Sequence, residues 1–285
     1  MPRTALSLCV ALLGSIWSTS SVALTIDLAD FAVSRNGVAI FDDSFDDGLP
    51  PPSAPNFASG ATASYVVFGS FPAGSEAAGL LTLDTSNGAL TSNAGGQARR
   101  TLSATLATAA ASSGLGADDT LTAQGLFDLA TPPGPLYNGY GIQFTDANAG
   151  VQHQLAQLQV RFNPVSGIPV ISYQFQDFDA GSISVLGQTA FTPPSGADQI
   201  LLQISRPDVG STDFFGSFQF LAGGSVVGSG NFAAPAMLFD GEDYVRARFF
   251  ASAAVVPEPG TLALFTGGLI VIGGLLGTRR GARRG

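Results

Sequence analysis

Lysine does not occur in the 285 residues, and cysteine, histidine and tryptophan occur once each. Each scarcity closes off a class of chemistry. With Cys9 alone, no internal disulfide and no Cys-based metal site can form, so the fold must stand on packing. His153 is the one histidine, set among glutamines ahead of a strand pattern, and no Gly-x-Ser-x-Gly elbow accompanies it. A Ser-His-Asp site therefore has no frame, and His153 reads as an exposed strand-edge residue. Between residues 24 and 256 there are twenty acids and seven arginines, a net charge of −13. A basic stripe for phosphate contact is missing, so nucleic acid is not an expected partner. The same charge favours solubility and repulsion from anionic surfaces.

The two ends carry different signals. Residues 1–23 read as a secretory signal peptide: Arg3, then an apolar stretch from Ala5 to Trp17, then Ser21-Val22-Ala23 as a small-residue site. Cleavage between Ala23 and Leu24 is expected, by signal peptidase after passage through the secretion machinery. Cys9 and Trp17 leave with this segment. At the other end, residues 254–259 contain Pro257-Glu258-Pro259, residues 260–278 are uncharged and apolar, and 279–285 hold Arg279, Arg280, Arg283 and Arg284. A helix rising about 1.5 Å per residue over such a run spans a hydrocarbon core of about 30 Å. The arginines then stay on the cytoplasmic side and place the body outside.

This C-terminal order resembles the PEP-CTERM sorting signal of Gram-negative bacteria. The resemblance implies that an exosortase-type membrane protease recognises Pro257, Glu258 and Pro259 and that the protein passes from a transient inner-membrane anchor to the cell surface or extracellular matrix. A stiff stalk on a permanent span, or a tail–tail contact through Gly273-x-x-x-Gly277, is the alternative reading.

Period-two alternation dominates residues 24–253. Leu158, Val160 and Phe162 alternate with Gln157, Gln159 and Arg161, and Ile171, Tyr173 and Phe175 with Ser172, Gln174 and Gln176. Such segments predict half-buried strands. Tyr140-x-Ile142-x-Phe144, Ile200-x-Leu202-x-Ile204 and Val245-x-Ala247-x-Phe249, with Arg246 and Arg248 opposite the last, continue the pattern. Further strands are expected over residues 24–33, 63–68, 80–83, 101–106 and 120–129. Asn36-Gly37 and Gly223-Gly224 lie between apolar runs and predict hairpins. So many short strands predict an all-β, antiparallel two-sheet β-sandwich with a phenylalanine-rich interior.

Phe41-Asp42-Asp43-Ser44-Phe45-Asp46-Asp47-Gly48 is similar to the opening of concanavalin-like jelly-roll domains, and residues 200–206, 216–220 and 239–246 resemble the back half of the same sandwich. The likeness implies the fold more than an activity. Jelly-roll glycosidases need two carboxylates across a sugar bond. The body has only Glu76 and Glu242, outside any Glu-x-Asp-x-Glu pattern. The expectation is a non-enzymatic protein without a resident cofactor.

Two binding chemistries stay open. Asp42, Asp43, Asp46 and Asp47, and again Asp240, Glu242 and Asp243, offer oxygen-rich loops to structural calcium. EF-hand spacing fails at Phe45, and Asp-Gly turns account for both clusters, as solvation accounts for Asp177 and Asp179. A calcium-assisted, lectin-like site for exopolysaccharide is the functional alternative. Among Tyr65, Tyr137, Tyr140, Tyr173 and Tyr244, the run Tyr137-Asn138-Gly139-Tyr140 is the candidate sugar platform, although Tyr140 shares a face with Ile142 and Phe144.

Overall fold

The computed structural model describes residues 19–21, 23–56, 62–107, 115–116, 118–134, 137–148, 151–163, 165–238 and 244–257. Two compact units divide the chain, Ala23–Ala254 and a unit formed by both termini. In chain order the strands are β1 (Thr19–Ser21), β2 (Thr25–Arg35), β3 (Val38–Asp43), β4 (Ser53–Asn56), β5 (Thr62–Phe68), β6 (Glu76–Ala77) and β7 (Leu80–Asp84). Then follow β8 (Ala89–Ser92), β9 (Ala98–Ala107), β10 (Leu115–Gly116), β11 (Leu121–Asp128), β12 (Gly139–Asn148), β13 (Val151–Asn163) and β14 (Ile168–Asp177). The last are β15 (Ser182–Ala190), β16 (Gln199–Arg206), β17 (Asp213–Ala222), β18 (Ser225–Asn231), β19 (Ala236–Met237) and β20 (Tyr244–Pro257). The one helical element among the described residues is a short 3-10 turn at Thr85–Asn87. No described helix is long and apolar enough to cross a membrane. The expected span, residues 260–278, lies outside the described residues.

The body is all-β and antiparallel. One sheet runs β15-β14-β13-β12-β20-β9-β5-β4, and the second runs β18-β17-β16-β11-β2-β7-β6. The turn residues act as expected: Asn36 and Gly37 have φ of 54° and 74°, and Gly223 and Gly224 have 53° and 79°. These left-handed pairs close β2 on β3 and β17 on β18. In the terminal unit β1 pairs with the end of β20, Thr19 opposite Pro257 and Ser21 opposite Val255.

The inward faces of the two sheets meet through aromatic rings, which makes the body a sandwich. Phe31 of β2 lies 5.1 Å from Phe249 of β20, edge to face, and Tyr65 of β5 lies 5.3 Å from the same ring. Phe127 meets Tyr140 at 5.2 Å, and Phe144 meets Phe214 at 5.1 Å. Burying each such side chain contributes about 1.5–3 kcal/mol, and ring geometry adds about 0.5–1.5 kcal/mol per pair. Tyr140 sits wholly in this core, and its hydroxyl donates to Ala130 O at 2.9 Å.

The half-buried strands of the sequence reading need correction on the first sheet. Gln157, Gln159 and Arg161 are only 2%, 3% and 7% exposed, on the face opposite the core. Alternation reports which side a residue faces; it does not report what covers that side. On the second sheet the outward residues of β16 and β17 are half-buried, as expected.

Candidate functional site

The covered outer face of the first sheet is built by register. Gln143 of β12 stands opposite Gln157 of β13 and Arg248 of β20. Gln157 faces Gln174 of β14, and Arg248 faces Thr105 of β9. A polar row therefore crosses the sheet perpendicular to its strands. Gln143 Nε2 donates to Gln157 Oε1 at 2.6 Å, and Gln176 Nε2 donates to the same oxygen at 3.2 Å. Gln159 Nε2 donates to Gln174 Oε1 at 3.1 Å. Arg248 Nε donates to Thr105 Oγ1 at 2.7 Å, with its guanidinium carbon 5.4 Å from the Phe68 ring centre.

Glycines make room for these long side chains. A Cβ on Gly141 would lie 2.1 Å from Leu158 O and 2.7 Å from Gln159 Cα. One on Gly139 would lie 3.0 Å from both Arg161 Cβ and Gln159 Oε1.

The turn between β8 and β9 forms a roof. Asn93 holds it, with Asn93 Nδ2 donating to Gln97 Oε1 at 2.8 Å and Gln97 N donating to Asn93 Oδ1 at 2.9 Å. Gly95 reaches across to the far edge strand β15, where its Cβ position is 3.5 Å from Ile183 Cδ1. Beneath the turn lie two compartments that share Asn93 and Arg99. One, of ≈ 230 Å³, is lined by Ser103, Gln143, Gln157, Gln176 and Arg248 among others. The second, of ≈ 430 Å³, is lined by Tyr137, Gln159, Arg161, Gln174 and Gln188 among others.

Several groups here have no protein partner among the described residues: Gln157 Nε2, Ser103 Oγ, Arg99 Nε and Arg161 Nε. Burial, then the neighbouring Arg161, push the Arg99 guanidinium down to about 10. Burial likewise lowers Arg161, and burial followed by Arg246 brings Arg248 to about 10. All three stay cationic at neutral pH. The described residues lining the two compartments include no Asp, Glu or His. The trough can donate and accept hydrogen bonds and attract anions; its described lining holds no carboxylate acid–base pair.

Sequence-based site residues fall elsewhere. Ala23 is exposed and Leu24 buried, with Leu24 N donating to Thr85 Oγ1 at 2.8 Å. Pro257 ends β20. Glu258, Pro259, Arg279, Arg280, Arg283 and Arg284 lie outside the described residues, as do Asp240, Glu242 and Asp243. His153 falls within β13 rather than ahead of a strand. Of the tyrosine platform, Tyr137 lines the trough while Asn138 is buried and bridges Pro133 O and Ala254 N.

In the acidic loop Asp43 and Asp47 are already engaged, Asp47 Oδ1 accepting from Leu49 N at 2.9 Å. Asp43 accepts from the Tyr65 hydroxyl at 2.9 Å and from Phe45 N at 3.2 Å. Glu76 Oε1 accepts from Gly48 N at 2.8 Å. Burial raises Asp30 to about 7, helped by Asp42, and raises Glu76 to about 7, helped by a hydrogen bond with Asp47. Among the described residues no three His, Cys, Asp or Glu side chains come together as a metal-sized group.

No protein-family model, curated protein or solved structure matches the chain. The glutamine rows were visible in the sequence, yet read as solvent faces. The usable signal was chemical: five glutamines at alternate positions on neighbouring strands are long neutral donors and acceptors, where a merely solvated face takes charges and small hydroxyls.

Proposed function

We propose that this chain is an exported, non-catalytic β-sandwich that binds a glycan of the cell surface or extracellular matrix in the polar trough on its first sheet. The observation that carries this reading is the set of buried amide, hydroxyl and guanidinium groups beneath the Asn93–Gln97 turn that have no protein partner among the described residues. A buried polar group left unpaired costs about 1–3 kcal/mol, and sugar hydroxyls, each both donor and acceptor, match neutral amides that also donate and accept. Binding of this kind needs no metal, which departs from the calcium-assisted version of the idea.

Delivery rests on the ends of the chain. The Pro257-Glu258-Pro259 motif, the apolar residues 260–278 and the four terminal arginines support sorting by an exosortase-type protease after signal-peptide removal. The same reading takes the sandwich as a concanavalin-like jelly roll, in keeping with the return of β20 to the middle of the first sheet. A glycan array with and without chelator tests the binding. Retention of sugar that survives chelation is expected; loss on chelation points to calcium, and release of reducing sugar points to hydrolysis. Replacing Pro257, Glu258 and Pro259 by alanine is expected to hold the protein in the inner-membrane fraction. Unchanged surface yield would reduce the motif to a stalk.

A further inference from the structure

Resting on that reading, we propose that the larger compartment of the trough is an anion subsite, and that the glycan it takes is an acidic one whose charged group sits between Arg99 and Arg161. Both arginines line this compartment. Arg161 is 7% exposed, and its Nη2 makes a long 3.5 Å bond to the neutral Gln188 Oε1. Arg99 is held as weakly, by a 3.5 Å bond from Nη2 to Gln97 Oε1. The Nε of each has no partner among the described residues.

A buried guanidinium, Arg161, beside a half-buried one, Arg99, close enough to repel it, is costly unless an anion joins them. A structural pair of this kind ordinarily recruits an Asp or Glu, and this body holds twenty acids against seven arginines. Among the described residues, none of those acids lines the compartment. Two cations are thus gathered in a half-open compartment whose described lining holds no acid, on an otherwise strongly acidic body. The guanidinium fork suits the paired oxygens of a carboxylate or sulfate. Around it, Gln159 and Gln174 offer amides and Tyr137 a phenol to the ring hydroxyls.

The test uses the full chain in detergent and three polymers: polygalacturonate, dextran sulfate and neutral dextran. Tight binding of at least one polyanion, at least tenfold above neutral dextran, is expected. The two polyanions distinguish a carboxylate from a sulfate source. Arg161→Gln is expected to lower the ratio of polyanion to neutral dextran binding by tenfold or more. Arg99→Gln gives the same readout if Arg161→Gln does not fold. Arg35→Gln removes one positive charge outside the trough and is expected to change nothing. Neutral dextran bound as well as both polyanions would overturn the anion subsite while the glycan reading stands. An equal loss in Arg35→Gln would also overturn the subsite, because net charge would then be the cause. Binding of none of the three would overturn the subsite and the glycan reading together.

Discussion

The Tyr65 hydroxyl donates a 2.9 Å hydrogen bond to Asp43 Oδ2 inside the core, where the tyrosine ring packs against Phe41 and Phe249. An ionisable group is thereby held 4% exposed at the seam between the sheets. Burial raises Asp43 to about 6, and the phenol bond opposes that rise. Tyr65→Phe keeps the ring and deletes the donor. The expected loss is about 1–3 kcal/mol at pH 8, where Asp43 is ionised, and less at pH 5, where it is protonated. Urea unfolding at the two pH values measures the difference; an equal loss at both would disconnect the bond from the Asp43 charge.

Asp30, Asp43 and Glu76 all have folded values above the ordinary carboxyl range, at about 7, 6 and 7. The folded state therefore holds protons that the unfolded chain releases from about pH 4 upward. Their contribution to stability is fully present below that pH and is lost as pH rises through about 6–7. The protein is expected to be more stable at pH 5 than at pH 8, by on the order of 1–2 kcal/mol after discounting for solvent screening, and so to melt higher. Asp42→Asn and Asp47→Asn, which remove the charges beside Asp30 and Glu76, are expected to flatten the slope. Thermal melts across pH 4–8 read it, and stability rising with pH would contradict the assignment.

Gly141 of β12 packs against the strand segment that carries the trough residue Gln159, where no side chain fits. In Gly141→Ala the new methyl meets Leu158 O and Gln159 Cα, both backbone atoms unable to swing away. A loss of about 1–3 kcal/mol is expected, with glycan binding weakened through the displaced Gln159. Gly74→Ala makes a useful contrast: nothing lies within 4 Å of its Cβ position, and its φ of 86° limits the cost to local backbone strain. Its melt is expected to shift without any change in sugar affinity.

Local chemistry made much of the sandwich legible. Asn36-Gly37 fixes its hairpin through φ values only such residues adopt readily, and Tyr140, Ile142 and Phe144 point to the core because strand side chains alternate. β15 escaped notice because Ser182–Ala190 is exposed or half-buried throughout and its apolar alternation stops after Ile183 and Val185. The trough escaped for a different reason. Its roof comes from residues 93–97 and its floor from β12, β13, β14 and β20, so enclosure depends on contacts distant in sequence that periodicity does not encode. The acidic residues 42–47 read as solvated turns, and the structure instead buries Asp43 against Tyr65, a pairing twenty-two residues apart.

Side-chain amide resonances of the isotope-labelled protein, followed during titration with the best-binding glycan from the array, test whether the trough is the binding surface. The expected shifts concentrate on Gln143, Gln157, Gln159, Gln174 and Gln176, with Gln124, Gln203 and Gln219 of the second sheet unmoved. Shifts confined to the second-sheet glutamines, or a bound glycan that moves none of the five, would contradict the account.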